Sequence, residues 1–185
     1  VALIPLLTKM SLRGVKIDQE FRAGLEAKLE QDLEYYLSIC KDIGFNPASP
    51  PQAGFILAKR GNILPMRRVR NARDNKWETK ISTREEDLEK LADPLASIII
   101  SYRKYSKLLS TYIRPLEGYS RAYTRWHLDA ITGRISSTHR NLQNIPQFVR
   151  GMFIPDNGVF TDWDANQIEL RCLAFMSGDQ EMAEI

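Results

Sequence analysis

Apolar residues recur at steps of four through Phe21, Leu25, Leu29, Leu33 and Leu37, the spacing of one helix face. Asp18 stands before this run as an N-cap and Gly44 after it as a stop, so the pattern predicts a surface helix of about 25 residues whose stripe needs a partner. Arg13-Gly14-Val15-Lys16-Ile17 reads as the turn leading in. Phe45 to Pro51 reads as a rigid connector. There Ser49 caps a short helix with Pro50 or Pro51 in its first turn, carrying Phe55, Ile56 and Leu57. From Gly61 to Lys80 no period is visible, and Arg and Lys are dense. That stretch reads as a mobile loop or tip.

Ser82-Thr83-Arg84-Glu85-Glu86 contains two overlapping capping boxes, Ser82 with Glu85 and Thr83 with Glu86, opening a short helix to Ala92. Asp93 then caps a second helix with Pro94 at its first position. Leu95, Ile98, Ile99, Tyr102, Tyr105, Leu108, Leu109 and Tyr112 mark its buried face, and Pro115 and Gly118 end it. Residues 119–147 break the helical pattern. Val159 to Asp164 predicts a short strand, Ile168, Cys172 and Leu173 a helix, and Ser177-Gly178-Asp179 a stop and a new start. Asp164 therefore falls where a strand turns into a helix.

Composition narrows the classes. At 43% hydrophobic and 26% charged, the 185 residues suit a soluble globular protein and disfavour wholesale disorder, collagen-like repeats or a disulfide-rich scaffold. No apolar run approaches the roughly 20 residues that span a bilayer, so no membrane partner is expected. The apolar start at Val1 to Leu7 lacks the flanks of a signal peptide. Cys40 and Cys172, far apart and in helical patterns, read as reduced, buried thiols of a cytoplasmic protein. The net charge of +3 conceals a polarity. Residues 59–80 carry eight basic side chains against two acidic, and residues 101–125 six against one. Residues 151–185 carry seven acidic against one basic. A basic middle beside an acidic end suits a protein that grips a polyanion near bound metal ions. Plain solvated faces are the other reading.

Two features carry candidate chemistry. Arg103 and Lys107 sit four apart on one helix face, where like charges repel unless an anion lies between them. Asp164 at a strand end would be held near free helix N–H groups, which suits hard-oxygen ligation of Mg²⁺ beside a triphosphate. A simple N-cap is the alternative. Asp162, two residues earlier, shares its strand face and is either a second ligand or an exposed partner.

Asp164-Ala165-Asn166-Gln167-Ile168-Glu169-Leu170-Arg171 resembles motif A of family A DNA polymerases, the polymerase I type. Thr132-Gly133-Arg134-Ile135-Ser136-Ser137 and Asn141-Leu142-Gln143-Asn144-Ile145-Pro146 resemble the signature that precedes it. Lys107-Leu108-Leu109-Ser110-Thr111-Tyr112 resembles the thumb helix. Ser49-Pro50-Pro51-Gln52 and Gly14-Val15-Lys16-Ile17-Asp18 resemble the start of the polymerase region. These blocks stand in family order across nearly the whole chain. Ala165 and Asn166, where the common motif has Tyr and Ser, resemble the phage replicative branch.

The resemblance implies an α+β chain: a mainly helical thumb at 1–118 with a basic tip near 59–80, then the first part of an antiparallel-sheet palm at 119–185, an incomplete right-hand fold. It implies Asp164 and the Ala165 carbonyl as ligands of two Mg²⁺ ions, with Asp164 catalytic. Gln167, Ile168 and Glu169 would line the nucleotide site, Glu169 as the gate that excludes a ribose 2′-hydroxyl. Arg103, Lys107, Ser110 and Thr111 would hold duplex phosphates, and Arg134, Asn141, Gln143 and Asn144 would touch primer and template. The implied partners are primer-template DNA and dNTPs, in a bacterial or phage-infected cell.

The family's fingers helix and its second catalytic aspartate, in a His-Asp-Glu turn, are absent from these 185 residues. The chain also opens on Val1, so it is expected to be a piece of a longer polymerase that is inactive alone. A stand-alone duplex-binding module, or one half of a split polymerase completed by the remaining portion, are the rivals. Trp126, His127 and Leu128 stand where many members have Phe-Asn-Gln. His127 and His139 lack partners at metal-ligand spacing and read as polar or DNA-facing residues.

Overall fold

The computed structural model describes residues 3–71, 75–128 and 133–183. Arg73, Asp74 and Thr132, singled out by sequence, lie outside that set. The described residues form helices and three small antiparallel sheets, an α+β arrangement. Two compact units divide at Ile154 and Pro155.

The first unit opens with α1 (Leu3–Arg13) and a turn at Gly14. Gly14 has φ +60°, and a Cβ there would lie 2.7 Å from the Ala122 carbonyl oxygen, so both conformation and space demand glycine. The turn delivers β1 (Val15–Ile17), the middle strand of a sheet in the order β4-β1-β7, where β4 is Arg121–Ala122 and β7 is Phe153–Ile154. Val15 pairs with Ala122 and Ile17 with Phe153. The 118/119 boundary expected from sequence therefore lies inside this unit, because β1 is flanked by strands from beyond it.

Helix α2 (Gln19–Ile43) forms as its caps predict. The Asp18 carboxylate accepts from the Phe21 amide at 2.9 Å, and Gly44 closes the helix in the left-handed region at φ +88°. The expected stripe is only partly buried. Steps of four overshoot the 3.6-residue turn by about 40° each, so a run of four steps winds around the helix. Leu25 and Leu29 are buried, while Phe21 is 46% exposed and lies over Gly151, whose added Cβ would meet the ring at 2.8 Å.

Helix α3 (Pro50–Lys59) follows Ser49 with proline in its first turn, although the Ser49 hydroxyl makes no capping bond. The basic stretch thereafter is no periodless loop. It is an antiparallel ribbon of β2 (Met66–Arg70) and β3 (Trp77–Ile81), in register from Met66↔Ile81 to Arg70↔Trp77. Both faces carry charge and exposed surface, so no hydrophobic alternation marked it in the sequence. The predicted capping boxes do not form either. In α4 (Glu85–Leu88) the N-cap is Arg84, and the buried Ser82 hydroxyl donates instead to Asp87.

Helix α5 (Pro94–Leu108) begins as expected, with Asp93 accepting from the Leu95 amide at 2.9 Å. It widens into a π-helical turn (Leu109–Ile113) and tightens into a 3-10 turn (Arg114–Leu116). The ribbon of β5 (Arg125–Leu128) and β6 (Ile135–Thr138), then α6 (Gln147–Arg150), lead to β7.

Two apolar clusters fill this unit. One gathers Ile17, Leu25, Leu29, Leu109, Ile113, Val149 and Met152; the other gathers Cys40, Phe45, Leu57, Leu88, Leu95 and Ile99. Burial pushes the Cys40 thiol above its usual range.

In the second unit, the strand expected over 159–164 is absent: these residues are irregular and pair with no other described strand. A lone extended segment leaves its backbone groups without a ladder, which is what a strand needs to persist. Helix α7 (Ile168–Ser177) and α8 (Gln180–Ala183) form as expected, with Gly178 between them at φ +70° and Asp179 accepting from the Glu181 and Met182 amides. Cys172, expected buried, is exposed, because the faces of α7 are mostly uncovered within this unit.

Asp93 gives a measurable pH dependence. Arg60, bound through two contacts at 2.8 and 3.1 Å, holds its carboxyl down to about 2, with the Leu95 amide and Asn62 adding to the effect. A depressed carboxylate stabilises fully above its unfolded pKa near 3.8, and that contribution is lost as pH falls through about 2. Its size is on the order of 2 kcal/mol. Urea unfolding between pH 2 and 6 is expected to show a steeper acid loss in the parent than in Asp93→Asn, which keeps a capping oxygen.

Candidate nucleic-acid interface

A groove of about 1050 Å³ runs between α2, the β2–β3 ribbon, α5 and the Pro146–Phe148 segment. Leu29, Leu88 and Leu108 form part of its apolar floor. Lys28, Arg67, Lys80, Arg84, Arg103, Lys104 and Lys107 line it, against Asp32 and Glu85. Several of these cations already have partners. Arg67 grips the buried Asp87 through two contacts at 3.0 Å, and Lys80 meets Glu78 at 2.6 Å. The bonds from Arg67 and then Ser82 hold the Asp87 carboxyl below its ordinary range. Among the described residues no ion pair involves Lys28, Lys104 or Lys107. The groove thus keeps a surplus of positive charge that a polyanion can neutralise.

Arg103 is placed differently from its helical neighbour. Its Nε donates to the Pro47 carbonyl at 2.9 Å and Nη1 to the Thr83 carbonyl at 2.6 Å. Nη2 is buried without a partner, and burial lowers the guanidinium's pKa below the usual arginine value. Arg103 thus fastens the connector and the ribbon's base to α5, while Lys107 is exposed at the groove. Ser110 and Thr111 are exposed on the π-helical turn, and the Ser110 hydroxyl donates to the Ser106 carbonyl at 2.8 Å. Sequence reasoning did not single out Lys28, Lys104 or Arg84. Lys104 had the one available signal, a cation beside Arg103.

The second predicted group flanks β6: Arg134 directly precedes the strand, and Asn141, Gln143 and Asn144 lie in the loop after it. Asn141 organises the loop: its side-chain oxygen accepts from the Ser137 hydroxyl and from the Gln143 and Asn144 amides at 3.0 to 3.2 Å. Gln143 donates through its side chain to the Ile135 carbonyl at 2.8 Å. Arg134, Asn141, Gln143 and Asn144 are all exposed. His127, on β5, shares a 2.7 Å hydrogen bond with the Thr138 hydroxyl.

The third group belongs to the second unit. Asp164, Ala165, Gln167, Ile168 and Glu169 are all exposed and fall within six successive positions at the entry to α7. Gln167 is the N-cap, at φ 51°, and Glu169 stands in the first turn. Asp164 and the Ala165 carbonyl are hard oxygen donors, the chemistry that Mg²⁺ selects. Among the described residues no three His, Cys, Asp or Glu side chains gather to hold a metal. The residues therefore suit the ion in kind, but they are an incomplete ligand set. Also among the described residues, no helix is long and apolar enough to cross a membrane.

The profile described as DNA polymerase family A matches residues 16–185. The chain belongs to DNA polymerase family A. It is 33% identical over 200 residues to DNA polymerase I of Caldicellulosiruptor bescii, covering 97% of this chain and 22% of that protein. It is 34% identical over 201 residues to DNA polymerase I of Bacillus subtilis (97% and 22%) and 36% identical over 198 residues to that of Chloroflexus aurantiacus (97% and 21%). The chain thus spans about a fifth of the length of these family A relatives. The solved POL domain of Pol1 from M. smegmatis, in complex with DNA primer-template and dNTP, has the same fold, with a TM-score of 0.70 at 24% identity, covering 96% of this chain and 33% of that one.

The Asn141 hub is testable. Asn141→Ala removes one acceptor from three donors and is expected to lower stability by about 1 kcal/mol in urea unfolding, whereas Asn141→Asp retains the acceptor and most of the stability.

Proposed function

We propose that this chain is the thumb, residues 1–118, and the first part of the palm, residues 119–185, of a DNA-directed DNA polymerase. The reaction is template-directed addition of a deoxynucleotide to a primer 3′-end. Membership of family A over residues 16–185, including the block around Asp164, carries this reading. The basic groove supports the grip on primer-template: a surplus of lysines above an apolar floor suits a phosphate backbone held without regard to sequence. Lys107, with Lys104 and Lys28 lining the same groove, makes phosphate contacts; Thr111 adds a hydroxyl donor, and Ser110 adds one when its hydroxyl turns from the Ser106 carbonyl to a phosphate. Arg103 acts mainly by holding the Pro47 and Thr83 segments in place.

In the same reading, Arg134 and the amides of Asn141, Gln143 and Asn144 meet the primer terminus, where amide donors reach minor-groove acceptors common to all correct pairs. Asp164 and the Ala165 carbonyl contribute to the sites of two Mg²⁺ ions. Held there, the ions would supply Lewis-acid activation of the primer hydroxyl and charge stabilisation for the departing pyrophosphate. Gln167 and Ile168 flank the incoming nucleotide, and Glu169 excludes a 2′-hydroxyl by occupying its space.

One carboxylate and one carbonyl do not complete a two-metal ligand set, so the 185-residue chain alone is expected to bind primer-template without extending it. Primer extension above background by the purified chain would overturn that. In a full-length polymerase carrying this segment, Asp164→Ala is expected to abolish extension while duplex affinity stays within a few-fold, because phosphate contacts supply most of the affinity. Loss of DNA binding in that variant would contradict the role.

The groove has its own test. Lys104→Ala with Lys107→Ala is expected to weaken duplex binding and to flatten the plot of log affinity against log salt by about 1 to 2 units, read by fluorescence anisotropy. An unchanged slope would remove these lysines from the interface.

A further inference from the structure

The β2–β3 ribbon has two chemically different faces. Its register puts Arg67, Val69, Glu78 and Lys80 on one face. There every charge is compensated: Arg67 by Asp87 and Glu86, Lys80 by Glu78. The opposite face carries Arg68, Arg70, Trp77 and Thr79. Arg68 is exposed, and among the described residues no hydrogen bond or ion pair engages it. Its guanidinium lies over the Trp77 ring, 5.5 Å from the centroid, and the indole is still 59% exposed. Among the described residues, Arg70, directly across from Trp77, makes one long hydrogen bond, 3.4 Å, to the Asn75 carbonyl.

We propose that this outer face is a stacking platform for unpaired DNA, separate from the groove that takes the duplex. The charge calls for a polyanion, since two exposed guanidiniums flank the indole and, among the described residues of that face of the ribbon, there is no carboxylate. The aromatic ring decides between single and double strands. A duplex offers phosphates and groove edges to a flat surface, and its base faces are covered by stacking. A single strand offers an open π-face at every nucleotide, which an exposed indole backed by a guanidinium receives while neighbouring arginines hold the phosphates. The ribbon holds this platform in place through Arg67, on its other face, anchored to the buried Asp87. Trp77 is the stacking residue, and Arg68 and Arg70 are the phosphate ligands.

The test uses the whole 185-residue chain with an oligothymidylate of about twelve nucleotides, and a blunt duplex of equal length for comparison. Trp77→Ala is expected to weaken oligothymidylate binding about tenfold and to leave duplex binding within about twofold. Trp77→Phe should retain most of the single-strand affinity. In the unaltered chain, the indole N–H resonance that disappears in Trp77→Phe is expected to shift on adding oligothymidylate. That measurement decides the matter if Trp77→Ala fails to fold. An unmoved indole resonance, single-strand affinity unaffected by the alanine, or equal losses for both DNA forms would overturn the platform.

Discussion

Three residues tie the first unit together. Val15 to Ile17 form the middle strand between segments that lie more than a hundred residues further along the chain. The Ile17 amide donates to the Ser120 carbonyl at 3.0 Å and the Asp18 amide to the Met152 carbonyl at 2.8 Å. That strand can be reached only through the left-handed turn at Gly14, where no side chain fits. It sets Asp18 in position to start α2, and Ile17 enters the cluster that also takes in Leu109, Ile113 and Val149. The groove inherits its geometry from this junction, because α2, α5 and the Pro146–Phe148 segment all converge beside it.

Electrostatics in the same unit work at two depths. The buried carboxylates, Asp87 and Asp93, each take an arginine in a two-point grip and a second polar side chain, Ser82 or Asn62. These pairs anchor basic segments to the helices, and little of their charge reaches outward. Among the described residues, the lysines of α2 and α5 have no such partner, and those that line the groove set its potential. A count of basic residues along the sequence cannot separate the two groups, although they serve different ends.

Much of the helical framework was legible because its ends are written in short-range chemistry. Asp18 and Gly44 bound α2, and Asp93 and Pro94 start α5, through contacts within four residues. Where the outcome depended on distant partners, the sequence misled. Ser82 looked like a cap, but a buried carboxylate five residues on takes its hydroxyl. The ribbon's alternation was masked by arginines on both faces. Residues 159–164 read as a strand from their own composition, yet a strand exists only with a neighbour to pair with. Among the candidate site residues, motif order drew attention to the groups around Lys107, Asn141 and Asp164. It gave no hint that Arg103 bonds inward to Pro47 and Thr83, or that Asn141 spends its oxygen on three local donors.

Helix α2 has a mechanical consequence. Its 25 residues make a rod about 37 Å long. Leu25 and Leu29 root one end in the first apolar cluster, and Cys40 plugs the other into the second. A rod fixed this way transmits rotation: a tilt of about five degrees at the Asp18 end sweeps the far end through roughly 3 Å, with no bond along the rod broken. Leverage of that kind ties the packing of the two clusters together, so that a small adjustment at the root is magnified at the distal one.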